Sequence, residues 1–125
     1  MKKTILIVDD EKELCKILSD SLFQDHYRVL VAFEGKRALQ LVKEEKPDLI
    51  LLDIKMPRMN GIDAIKILKQ DPDMTNIHIL VLTAMESGDK EMEFANIGIN
   101  DNDIITKPFS PKELLDIINA RIGEE

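Results

Sequence analysis

The 125-residue chain has a single cysteine, so no disulfide can close within it, which fits a reducing compartment. Glycine and proline are scarce at 5 each, which excludes a collagen-like chain, and 44% apolar residues exclude a disordered one. Basic residues are in deficit, 17 Lys and Arg against 24 Asp and Glu, for a net charge of −7. An acidic surface repels phosphate backbones, so direct nucleic-acid binding by this chain is not expected. Long apolar runs are also missing. Ile5–Val8 and Leu49–Leu52 are four residues each, too short to span a bilayer, and no membrane insertion is expected. The lysines at the start have the charge of a signal n-region, but Asp9-Asp10-Glu11 stops the apolar stretch behind them. A soluble, cytoplasmic chain is expected, with residues 1–125 forming one domain.

What is present alternates. Ile5 to Val8 is a continuous run suited to a strand buried on both faces. From Asp10 to about Gln24, Leu14, Ile17, Leu18 and Leu22 recur at helical spacing. Val29 to Phe33 is a second strand candidate. Ala38, Leu41 and Val42 mark a helix that should end before Pro47, because the residue preceding proline is pushed out of the helical region. Asp48 to Asp53 reads as a third strand, Ile62, Ile65 and Leu68 as a helix closing near Asp71-Pro72, and Ile77 to Leu82 as a fourth strand. A weaker helix is expected from Ser87 to Ile97, with Gly98 at its C′ position. Ile104-Ile105 makes a short fifth strand. Ser110-Pro111-Lys112-Glu113 then opens the last helix with a capping serine, a proline at the first position and a glutamate placed for a capping box. Five strand–helix units in series imply a doubly wound α/β fold, parallel strands with helices on both faces. Ligands of such sheets bind outside the carboxyl ends of the strands.

Those ends carry a concentrated chemistry. The first strand ends in Asp9-Asp10-Glu11, the third in Asp53 followed by Lys55, the fourth in Thr83-Ala84, the fifth in Thr106-Lys107-Pro108. Any one of these has a bland explanation: an Asp-Asp pair caps helices, a threonine starts them, and Lys-Pro says almost nothing. Their joint placement does not. Clustered carboxylates repel one another and need a compensating cation. Oxygen donors without Cys or His select a hard divalent ion, and Mg2+ takes one or two carboxylates together with waters and phosphate oxygens. A hydroxyl and an ammonium beside such an ion suit a phosphoryl group. A carboxylate can itself be the nucleophile, and Asp53, after the central strand, is the candidate.

These residues carry a resemblance over nearly the whole chain. Ile5-Leu6-Ile7-Val8-Asp9-Asp10-Glu11, Pro47 through Pro57 with Asn60-Gly61, Leu82-Thr83-Ala84 and Ile105-Thr106-Lys107-Pro108-Phe109 are similar to the receiver domains of bacterial two-component response regulators, of the single-domain chemotaxis or relay type. The resemblance implies a flavodoxin-like (βα)5 sheet of order 2-1-3-4-5. It implies that Asp53 accepts a phosphoryl group from a histidine kinase or phosphotransfer protein and thereby switches partner interactions, without being a turnover enzyme. Asp10 and Asp53 would ligate Mg2+ directly, Asp9 through water, and the backbone carbonyl of Lys55 would complete the protein ligands. Thr83 and Lys107 would meet the phosphoryl oxygens.

Two departures from the family pattern stand out. Ile104 occupies the position, three before the lysine, where an aromatic residue usually moves with the threonine. The stretch from Thr83 to Lys107 is also about two residues longer than usual, with the extra length around Ile99–Asp103, where a longer loop or a bulge is expected. Other residues are less informative: His26 falls in a helix–strand loop, His78 at the start of a strand away from the rim, and Cys15 on the first helix reads as a small buried hydrophobe. Two further functions compete. A Mg2+-dependent phosphohydrolase using an aspartyl-phosphate would carry an acid two residues after Asp53, where Lys55 stands, and a cap domain that 125 residues cannot hold. A flavin-binding domain would want a small-residue phosphate loop in place of Asp9-Asp10-Glu11.

Overall fold

A computed structural model describes residues 2–53, 61–83, 98–99, 101–106 and 109–123. Five strands among them form one all-parallel sheet of order β2-β1-β3-β4-β5. They are β1 (Thr4–Val8), β2 (Arg28–Ala32), β3 (Leu49–Asp53), β4 (His78–Thr83) and β5 (Ile104–Thr106). Four helices join or follow them: α1 (Lys12–Gln24), α2 (Gly35–Glu45), α3 (Gly61–Gln70) and α4 (Pro111–Ile122). The doubly wound order expected from the resemblance is the observed one. The helix expected over 87–97 lies outside the described residues. Gly98 takes φ 84, a left-handed conformation that a glycine adopts without a Cβ penalty.

The central strands explain why the sheet is covered on both sides. Every residue of β1 and of β3 is buried. Because side chains alternate across a strand, each run splits between two cores. Leu6, Val8, Ile50 and Leu52 pack with Leu41, Val42, Ile65 and Leu68 on the α2 and α3 side. Ile5, Ile7, Leu49 and Leu51 pack with Leu18, Leu22, Leu114 and Ile118 on the α1 and α4 side. At roughly 1.5–3 kcal/mol for each fully buried aliphatic side chain, these two layers supply the main drive for folding.

The element ends follow local chemistry. The Ser110 hydroxyl accepts from the Glu113 N–H at 3.0 Å with Pro111 in the first turn, as the sequence suggests. The start of α1 is later than its apolar spacing indicates, at Lys12, because the Asp9 carboxylate accepts the Glu11 N–H at 2.9 Å and holds residues 9–11 in a turn. Lys46 leaves the helical region before Pro47, but into the left-handed region (φ 46, ψ 66), with its N–H still bonded to the Val42 carbonyl at 3.0 Å. The segment before β5, where a longer loop or a bulge is expected, lies partly outside the described residues. Asp101–Asp103 form a 3-10 turn, and Arg121 of α4 clasps it through the Asp103 carboxylate and, at 2.7 Å, the Asn102 carbonyl. No helix of the described residues is long and apolar enough to cross a membrane.

Candidate functional site

The sheet register assembles the site. Val8 pairs with Leu52, so the next residues, Asp9 and Asp53, leave neighbouring parallel strands at the same level. Asp53 pairs with Leu82, which sets Thr83 one step further along the adjacent strand, and Thr83 pairs with Thr106 at the end of β5. Asp9, Asp53 and Thr83 are buried, whereas Asp10 is exposed. The carboxylates of Asp9, Asp10 and Asp53 each place an oxygen within 4.8 Å of the others. Lys55 and Lys107, the two remaining site residues expected from the sequence, lie outside the described residues. His78 begins β4 at the other end of the sheet, its N–H bonded to the Asp48 carbonyl at 3.1 Å, and takes no part in the rim.

Asp9 is held through three of its groups. Its N–H donates to the Ala32 carbonyl at 3.1 Å, its carboxylate accepts the Glu11 N–H, and its carbonyl accepts the Cys15 thiol at 3.4 Å. The thiol contact is a structural detail of the site that sequence reading missed. Cys15 is buried as expected, but nothing in its spacing from Asp9 announces that the first turns of α1 fold back over that carbonyl. The thiol also senses the rim. Burial, and then the negative charges of Asp9, Asp10, Glu11 and Asp53, push it from 9.0 up to about 11. A field that disfavours a thiolate is the same field that attracts a cation.

Chemically, the cluster is an all-oxygen donor set of three carboxylates, two buried and one exposed, at one point of the rim. The donor set fits a hard divalent ion such as Mg2+, and Asp9, Asp10 and Asp53 could hold one. To one side, the Lys12 ammonium sits 5.4 Å from the Phe33 ring centroid, where β2 meets the rim.

The sequence matches the response regulator receiver domain family over residues 5–119. The chain belongs to that family. As a receiver domain it is a signalling module of two-component systems. It is 41% identical over 121 residues to the chemotaxis protein CheY of Thermotoga maritima, covering 95% of this chain and 97% of that protein. It is also 41% identical to the alkaline phosphatase synthesis transcriptional regulatory protein PhoP of Bacillus subtilis, covering 98% of this chain but 48% of that protein. The receiver domain thus spans about half the length of PhoP and of other transcriptional regulators it matches. Among solved structures, the chemotaxis response regulator CheY4 of Vibrio cholerae superposes with a TM-score of 0.88 at 28% identity, covering 98% of this chain and all of that one. A putative response regulator from Chloroflexus aurantiacus gives 0.87 at 30%, covering 99% and 100%.

Proposed function

We propose that this receiver domain accepts a phosphoryl group on Asp53 from the phosphohistidine of a histidine kinase or phosphotransfer protein, and that the modification switches its contacts with a downstream partner. The convergence of the Asp9, Asp10 and Asp53 carboxylates on one point at the ends of β1 and β3 supports this reading. An Asp53 carboxylate oxygen attacks phosphorus, the phosphorus–nitrogen bond to the donor imidazole breaks, and the imidazole keeps that electron pair and takes up a proton. An acyl phosphate remains on Asp53.

Asp9, Asp10 and Asp53, with the backbone carbonyl of Lys55, are the residues that would hold Mg2+, which supplies charge neutralisation to a transferring phosphoryl group. The Thr83 hydroxyl, at the end of β4, would bond a phosphoryl oxygen, and the family resemblance assigns Lys107 to pair with another. Asp9 serves chiefly to fix the rim, since its backbone and carboxylate are bonded on three sides. With Ile104 at the family's aromatic position, the switch runs through Thr83 and the segment 84–88 rather than through a swinging ring. Residues 1–125 act as one cytoplasmic receiver unit and not as a turnover enzyme.

Incubation with acetyl phosphate and Mg2+, followed by intact-mass measurement, should add one phosphoryl group to the wild type and none to Asp53→Asn. Labelling of the variant at the wild-type level would overturn the assignment.

A further inference from the structure

A cleft lined by described residues lies away from the carboxylate rim. It lies at the other end of the sheet, where α1 ends, β2 begins and α4 ends, and its volume of about 670 Å3 is that of a small-molecule site. Two lysines line it on a chain of net charge −7: Lys2 and Lys3 stand there with His26, and among the described residues Asp25 is its one acid. Asp25 is already engaged, its carboxylate accepting the Asn119 amide at 3.1 Å, while the Asn119 oxygen accepts the Tyr27 hydroxyl. That chain of bonds ties the start of β2 to the end of α4 and fixes the cleft floor. The backbone fixes the rest: Arg28 N–H donates to the Lys3 carbonyl at 2.9 Å, and the Tyr27 and His26 N–H groups close the turn after α1 on Leu22 and Phe23 at 3.1 Å.

Two features distinguish this wall from scattered surface lysines. His26 is held at φ 71, a conformation disfavoured for a residue with a Cβ, and it lines the cleft from there. The Lys2 ammonium is parked 5.7 Å from the Phe23 ring centroid. Phe23, 67% exposed, belongs to a second cleft of about 510 Å3 that shares Lys2 and Tyr27 with the first and adds Asp20 and Arg28, the latter paired with Glu45. The two lysines therefore adjoin an aromatic wall of Tyr27 and Phe23. We propose that this end of the receiver domain binds a small phosphate monoester, its dianion between Lys2, Lys3 and His26 and its organic body along Tyr27 and Phe23. Two ammonium groups match the charge of the dianion as point charges, and the combined space exceeds what a bare phosphate fills. The site is independent of Asp53 chemistry.

The test is an NMR titration of the 15N-labelled chain with phenyl phosphate and, separately, inorganic phosphate, at constant ionic strength with EDTA to keep divalent ions away from the rim. Saturable shifts are expected at residues 25–27 and at Asn119, half-complete by about 1 mM phenyl phosphate. The double variant Lys2→Gln/Lys3→Gln, whose side chains lie outside the core, should weaken binding at least tenfold, or about 1.4 kcal/mol. Drift without saturation, shifts confined to Asp9, Asp10 and Asp53, or unchanged affinity in the variant would each overturn the site. Equal affinity for inorganic phosphate would overturn the ester assignment.

Discussion

Asp48 and Asp53 stand at the two ends of one strand, the first just before β3 and the second closing it. At the near end, the Asp48 carboxylate accepts the Thr4 N–H at 2.8 Å, its own N–H donates to the Thr4 carbonyl at 2.8 Å, and its carbonyl accepts from His78. Its backbone and carboxylate thus join the starts of β1, β3 and β4. At the far end, Asp53 meets two more carboxylates across the neighbouring strand. The same side chain type is thus used in opposite ways. A strand-end carboxylate given backbone N–H partners is structural, because its charge is spent within the fold. One gathered with like charges joins an all-oxygen donor set that a hard cation fits.

This contrast can be broken from either end. The largest effect is expected from Asp10→Asn: Mg2+-dependent phosphorylation by acetyl phosphate falls to background, while the thermal midpoint stays level or rises because like-charge repulsion at the rim is relieved. A Mg2+ titration unchanged in that variant would refute the donor assignment. Next comes Asp48→Ala, which strips the Thr4 N–H of a charged acceptor and should cost about 1–3 kcal/mol in chemical denaturation, with the acetyl-phosphate reaction unaffected. Asp48→Asn, which keeps an acceptor oxygen, should lose less.

Cys15 sharpens the rim side by its titration. In the unfolded chain the thiol ionises around 9.0, and in the fold only at about 11. The unfolded state therefore releases the proton first, and stability present below pH 9 is lost as the pH rises through 9–11. Denaturation series across that window should show a fall on the order of 1–2 kcal/mol in the wild type that is missing from Cys15→Ala. The smallest effect belongs to the opposite end. His26→Gly, relieving a left-handed residue with a Cβ, should raise stability by about 0.5–1 kcal/mol, since the gain is partly offset by the freer unfolded glycine. Equilibrium urea unfolding resolves that difference.

Much of this was legible in the residues. The strands and helices announced themselves because β1 and β3 are buried on both faces, so their apolar runs are unbroken, while α1 and α4 show their buried stripes at helical spacing. Asp9, Asp10 and Asp53 were legible as a group because parallel strands in register deliver their last residues to one edge. Boundaries were less so: α1 starts at Lys12 because a side-chain bond from Asp9 competes with the helix. The 3-10 turn at Asp101–Asp103 was illegible because its clasp, Arg121, belongs to a different element, and no local pattern links the two. The Cys15 contact failed to show for the same reason, being a product of how α1 packs on β1.

The splitting of β1 and β3 between two cores has a consequence for how such a chain can change in length. Inserting one residue between Ile5 and Val8 would send each side chain to the opposite layer and carry Asp9 off its level with Asp53. Deletion would do the same in reverse. Strand lengths are therefore frozen by geometry alone, whatever the side chains. The connections carry no such parity. Before β5, for instance, Asp101–Asp103 wind into a 3-10 turn that Arg121 fastens to α4. Insertion is thus tolerated best in the connections at the other end of the sheet, such as the turn from α1 to β2, which hold none of the rim oxygens.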